Sequence, residues 1–158
     1  MQGIPSLEDL ELSSINIQLV WKHKLLPTCS YAQNLTCLTI KGCHNFNRLF
    51  SSSMVKSFVQ LKTLKVENCE NMENVIFEKE LTKEEMMNKK TFRVLEFLSL
   101  KDLPRLTRFC NGNYFEFPLL TSLSIETCPT LKTFISDAEE NNSEIASPTL
   151  FNEKVILH

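Results

Sequence analysis

Cys43 and His44 stand side by side, and a thiol beside an imidazole is the raw material of a nucleophile and its general base. The chain has six cysteines in all (Cys29, Cys37, Cys43, Cys69, Cys110, Cys128), enough for a disulfide framework or a zinc site. The spacing argues against each of these chemistries. Zinc sites normally announce themselves by CxxC pairs, and none occurs here. Disulfide frameworks belong to short secreted chains, whereas residues 1–4 lack the charged and apolar regions of a signal peptide. A thiol nucleophile needs a base within reach and a third group to orient that base. Adjacent residues leaving a strand point apart, and the other histidines are His23 and the terminal His158. No catalytic, metal or cofactor-binding residue is assigned, and the chain is expected not to be an enzyme. Asn34-Leu35-Thr36 and Asn141-Asn142-Ser143 fit the glycosylation acceptor pattern, but without a secretion signal both are read as coincidental.

Three of the cysteines report a period instead. Cys69 belongs to the series Leu61, Leu64, Val66, Cys69, Met72, with polar residues nearly everywhere between. The same spacing gives Leu35, Leu38, Ile40, Cys43, Phe46, and again Leu120, Leu123, Ile125, Cys128, Leu131. It also gives Leu95, Leu98, Leu100, Leu103, Leu106, and first of all Leu7, Leu10, Leu12, Ile15. The copies start at 7, 35, 61, 95 and 120, so they are 28, 26, 34 and 25 residues apart. Two further apolar columns survive that irregularity. Three residues before the first leucine stand Ile4, Ala32, Phe58, Phe92 and Phe117; fourteen residues after it stand Trp21, Leu49, Val75, Phe109 and Phe134. Leu103 and Ile15 share the cysteines' place, so that column is read as packing of a small, mostly apolar side chain beside turning backbone.

One such unit cannot close a core, because its leucines all point to one side. The alternation Leu10-Glu11-Leu12 is that of a strand with one buried face. Stacking the copies as coils of a solenoid aligns these strands in parallel and merges their inward side chains into continuous columns. Parallel pairing demands long crossovers, which the stretches between copies supply. Strand cores are expected near 7–17, 35–46, 61–72, 95–106 and 120–131, within a single array over 1–158. Leu49, Phe50, Met54, Val55 and Phe58 recur at helical spacing around Ser51-Ser52-Ser53, which predicts a short helix. Residues 18–30 read as an irregular return, and 78–90, with alternating acidic and basic blocks, as a solvated helix or loop. Asn111-Gly112-Asn113 signals a turn and 137–147 a mobile loop; the residues from Leu150 to Leu157 look like the start of another repeat.

With 158 residues, 42% hydrophobic and 23% charged, the composition is that of ordinary globular protein. A net charge of −2 offers no electrostatic case for nucleic acid, and no apolar run is long enough for a membrane span. A cytoplasmic setting, with the nucleus as a second possibility, is the expectation.

Function, in such an array, is expected in the polar residues between the leucines, such as Lys62, Thr63, Lys65 and Glu67. Six residues after the first leucine stand Ser13, Lys41, Glu67, Lys101 and Glu126. Neighbouring strands would set Lys41 near Glu67, and Lys101 near both Glu67 and Glu126. This is either a solubilising ladder or, with Glu11, Lys65 and Phe97, a recognition surface, since solenoids bind on their extended concave side. The candidate partner-binding residues are thus Glu11, Lys41, Lys65, Glu67, Phe97, Lys101 and Glu126.

Pro5-Ser6-Leu7-Glu8-Asp9-Leu10-Glu11-Leu12, the run from Gln60 to Cys69, and Phe117-Pro118-Leu119-Leu120 through Cys128-Pro129 resemble a known family. It is the leucine-rich repeats of plant intracellular nucleotide-binding disease-resistance receptors of the coiled-coil class. The resemblance covers nearly the whole chain. It implies an α/β fold, a leucine-rich-repeat solenoid (a right-handed β/α superhelix) with a parallel sheet on the concave face and irregular or short-helical returns on the convex face. It also implies a role in plant defence: recognising a pathogen effector or guarded host protein, or restraining the receptor's own nucleotide-binding module. With only three glycines and no GxxxxGK motif, the chain is expected to contain no such module and no cofactor, and to be a fragment of a larger receptor. An F-box ubiquitin-ligase adaptor also resembles the Leu-x-x-Leu-x-Leu-x-x-Cys pattern and is the alternative. Its repeats are more uniform in length, and the 34-residue third unit and the Phe-Pro pair count against it.

Overall fold

The computed structural model describes residues 8–14, 33–45, 47–51, 55, 57–77, 90–111, 115–136 and 156–157. Each repeat contributes one strand to a six-stranded, wholly parallel sheet: β1 (Asp9–Ser13), β2 (Cys37–Lys41), β4 (Thr63–Glu67), β7 (Phe97–Lys101), β10 (Ser122–Glu126) and β12 (Ile156–Leu157). The register is that of the repeat alignment. Leu10, Leu38, Leu64, Leu98 and Leu123 lie side by side across the first five strands, as do Leu12, Ile40, Val66, Leu100 and Ile125. A one-residue slip would turn every leucine to solvent, which pins the pairing. Ile156 and Leu157 pair with Ser124 and Ile125, so the last apolar residues do begin a sixth coil.

The solenoid with its parallel sheet is as expected; the returns are more regular than expected. The first part of each described return forms a strand of a second parallel sheet, ordered β11-β8-β5-β3, from β3 (Arg48–Ser51), β5 (Asn74–Phe77), β8 (Arg108–Asn111) and β11 (Thr133–Ser136). Leu49 and Phe50, counted above in the helical spacing, therefore lie in a strand, whereas Val55, past the serine run, is helical as expected. The adjacency of Leu49 and Phe50 has a physical reason. Both are fully buried, as are Val75 and Ile76 beside them, so this sheet is covered on both faces and its apolar residues run consecutively. Such a run does not distinguish strand from helix by period. Two residues of each of β6 (Lys90–Thr91) and β9 (Phe115–Glu116) form a third, two-stranded parallel sheet. The readings made above for 18–30, 78–89, 112–114 and 137–147 lie outside the described residues.

The core fills the space between the two main sheets. Leu35, Leu61, Leu95 and Leu120 at the start of the repeats are buried, and so are Phe58, Phe92 and Phe117 three residues earlier. Phe92 and Phe117 stack at 5.6 Å between centroids, and Phe109 meets Phe117 edge-on at 5.7 Å. Such ring pairs add about 0.5–1.5 kcal/mol beyond the area they bury.

Candidate functional site

The strand that lines each coil exposes every second side chain. Those at Asp9, Glu11 and Ser13 on β1, Cys37, Thr39 and Lys41 on β2, Thr63, Lys65 and Glu67 on β4, Phe97, Ser99 and Lys101 on β7, and Ser122, Ser124 and Glu126 on β10 share one face of the six-stranded sheet. Their alternates are the apolar columns of the core, buried in β2, β4, β7 and β10 and partly buried in β1. All seven candidate residues lie on this face. The register sets Lys41, Glu67, Lys101 and Glu126 in one row, and in it Lys101 Nζ reaches Glu126 Oε1 at 3.5 Å. Both side chains are close to half exposed, so this contact is worth at most about 1 kcal/mol. Glu11 is level with Lys65 but two strands away, with Thr39 between them.

Two candidates come together in a shallow groove of about 340 Å³, lined by Thr63, Leu64, Lys65, Phe97, Leu98, Ser99, Ser122 and Ser124. Lys65 supplies a cation and Phe97 an aromatic ring that is 50% exposed. In register, Phe97 is flanked by Thr63 and Ser122, whose short side chains leave the ring uncovered. Ser99, Ser122 and Ser124 were not singled out from the sequence. A serine between apolar residues of a strand is an ordinary outward residue, and only the neighbouring Phe97 gives these hydroxyls a setting.

The leading ends of the strands are tied together by backbone bonds that recur from coil to coil. One residue after the first leucine, the carbonyl accepts two N–H groups from the next coil: Glu8 from Thr36 (2.7 Å) and Cys37 (3.0 Å), Lys62 from Glu96 (2.8 Å) and Phe97 (2.9 Å), and likewise Thr36 and Glu96. The Thr36 and Thr121 hydroxyls donate to the carbonyls of Glu8 and Glu96 as well. Thr36 is the third residue of the first glycosylation-type triplet, and its hydroxyl is thus engaged inside the array.

At the other end of the strand the chain turns through a left-handed residue. Ser14, Gly42, Asn68, Asp102 and Thr127, seven residues after the first leucine in every copy, have φ between 52° and 64°. Gly, Asn and Asp tolerate this region, and that column of residue types was a legible signal not used above. The next residue is the cysteine. Cys69 Sγ donates to the Glu67 carbonyl at 3.3 Å, and Cys128 Sγ lies 3.4 Å from that of Glu126. Cys43 Sγ lies 3.5 Å from the Lys41 carbonyl. Burial pushes the Cys69 thiol up to about 11, although backbone N–H groups of Cys43 and Gly42 favour the thiolate; burial also raises the Cys128 thiol. A thiol so raised is a poor nucleophile at neutral pH. His44, meanwhile, points its Nδ1 at the N–H of Glu70 (3.4 Å), and its carbonyl accepts from Asn71 Nδ2 (2.6 Å). These contacts bind one coil to the next and bring His44 no closer to Cys43.

Among the described residues no group of three or more His, Cys, Asp or Glu side chains is placed to hold a metal ion, and no helix is long and apolar enough to cross a membrane. Comparison with known proteins matches residues 6–140 to the family described as plant disease resistance protein RPS2-like, leucine-rich repeats. The chain is also 27% identical over 129 residues to a protein of Arabidopsis thaliana named probable disease resistance protein At4g27220, a match covering 81% of this chain and 14% of that protein. It therefore spans about a seventh of that relative's length. No solved structure matches the chain.

Proposed function

Because the chain belongs to the leucine-rich-repeat family of plant disease-resistance proteins, we propose that the exposed face of its six-stranded sheet reads a protein. That protein is a pathogen effector, a host protein that the receptor guards, or the receptor's own nucleotide-binding module. The reading includes a non-enzymatic role and a cytoplasmic or nuclear setting. The observation that carries it is Phe97, half exposed at the centre of a sheet whose backbone is paired on both sides. A large apolar side chain so placed contributes nothing to the core. A partner that covers it gains roughly 25 cal/mol for each Å² withdrawn from water. The family match favours this reading over the F-box adaptor.

The test is made in a complete receptor that carries this segment. Replacing Lys65, Phe97 and Lys101 together by alanine is expected to abolish the cell-death response to the cognate pathogen while the protein accumulates normally. Leu64→Ala, which truncates a fully buried side chain, should instead cost about 2–5 kcal/mol and lower accumulation. A response that appears without the pathogen would assign the face to restraint of the receptor's own module. An unaltered response rejects the face altogether.

A further inference from the structure

Lys65 makes no ion pair among the described residues, although Glu67 shares its face two positions along the strand. Among the described residues no carboxylate comes within 4 Å of it, and its neighbours in register, Thr39 and Ser99, are uncharged. The row of alternating charges lies one step further along the strands, where Lys101 and Glu126 satisfy each other. One step back lies Phe97, on the adjacent strand and two positions out of level with Lys65. Strands about 4.8 Å apart and a two-residue rise of about 6.6 Å put residues in that diagonal relation about 8 Å apart. In an extended peptide, side chains at i and i+2 share a face and are about 6.6–6.8 Å apart. The groove that contains both is otherwise lined by hydroxyls and by the edges of Leu64 and Leu98.

We infer that this groove takes an extended, otherwise uncharged segment of a protein, in which an aromatic or aliphatic residue stands two positions from a single carboxylate. The apolar side chain covers the open side of Phe97, the carboxylate meets Lys65, and the hydroxyls of Thr63 and Ser99 face the segment's backbone. The inference rests on the proposed role of this face and adds the chemistry of what is read there. A nucleic acid strand also combines flat rings with negative charge. Asp9 and Glu11 on the same face, with Glu67 and Glu126, oppose a polyanion.

The probe is a decapeptide of glycine and serine carrying one Phe-Ser-Asp triplet, titrated into the 15N-labelled chain. Amide shifts are expected at Thr63, Lys65, Phe97 and Ser99. The dissociation constant should rise about tenfold in Phe97→Ala and about fivefold in Lys65→Ala, and stay unchanged in Lys132→Glu. Lys65→Glu should reverse the preference, favouring a Phe-Ser-Lys peptide over Phe-Ser-Asp, while its spectrum elsewhere stays that of the parent. A peptide with Phe and Asp adjacent should bind more weakly. Shifts confined to other surfaces, no reversal in Lys65→Glu, or equal shifts from an oligothymidylate would each overturn the inference. If the peptide produces no shifts but the receptor's response still depends on Lys65, Phe97 and Lys101, the chemistry is wrong and the face assignment stands. If the response is also unaltered, both fall.

Discussion

Cys69 has no solvent exposure, its Sγ bonded to the Glu67 carbonyl, and this is where a residue that promises chemistry proves to serve packing. Its thiol is pushed up to about 11 from an ordinary 9.0, chiefly by burial. The folded chain therefore holds the proton more tightly than the unfolded chain does. That contribution to stability is complete below pH 9 and is lost as pH rises through 11, on the order of 2 kcal/mol in all. Urea unfolding of the parent chain and of Cys69→Ala at pH 7.5 and pH 10.5 isolates the effect. The stability difference between them should shrink at the higher pH, because only the parent's unfolded state gains by losing this proton, while lysines and tyrosines titrate in both and cancel. A constant difference would mean that the thiol is freely solvated. At neutral pH the same proton keeps Cys69 inert. Cys43 is as deeply buried, and His44 turns to the next coil, so the adjacent pair has no reach in common.

A strand in this array ends where its chain enters the left-handed region, and five different residue types do this in the same column. Gly42 does so without steric cost, and its N–H donates to the Glu67 carbonyl at 3.0 Å. A Cβ there would stand 3.2 Å from Ser14 Oγ, on backbone that L residues resist. Gly42→Ala should therefore lower stability by about 1 kcal/mol. Thr127 holds φ 54° with a β-branched side chain, the least suited to it. Thr127→Asn should raise stability by about 1 kcal/mol, since Asn visits this region readily. Thermal and urea unfolding of the two variants check both signs. The same opposite shifts would be absent if the turn relaxed to another conformation. Asn74 in β5 is a different kind of cost, a buried side chain whose Oδ1 has no partner among the described residues.

Each coil touches only its neighbours, so stability in the whole molecule is a sum of adjacent interfaces and is greatest in the middle. β4 and β7 are the central strands of one sheet, β5 and β8 of the other. Amide exchange followed by mass spectrometry should be slowest in these four and fastest in β1, whose outer edge has no strand beside it among the described residues. Uniform protection from β1 to β10 would show instead a single cooperative unit.

Periodicity carried most of this architecture. Apolar residues three and five positions into each copy specified which side chains turn inward, and equal spacing within the copies specified the register, because neighbouring coils must match column to column. The cysteine column and the phenylalanines three residues ahead of each copy followed from the same alignment. The returns differ in length and share a single apolar column, at Leu49, Val75, Phe109 and Phe134, which does not by itself mark a strand, so the second sheet was not legible. Its strands at Leu49-Phe50 and Val75-Ile76 are buried on both faces and lose the alternation that marks a strand. The pairing of Lys65 with Phe97 was likewise decided in three dimensions. The sequence placed both on one face among seven candidates, but their diagonal proximity, and the serines and threonine that leave the ring open, depend on which strands lie side by side.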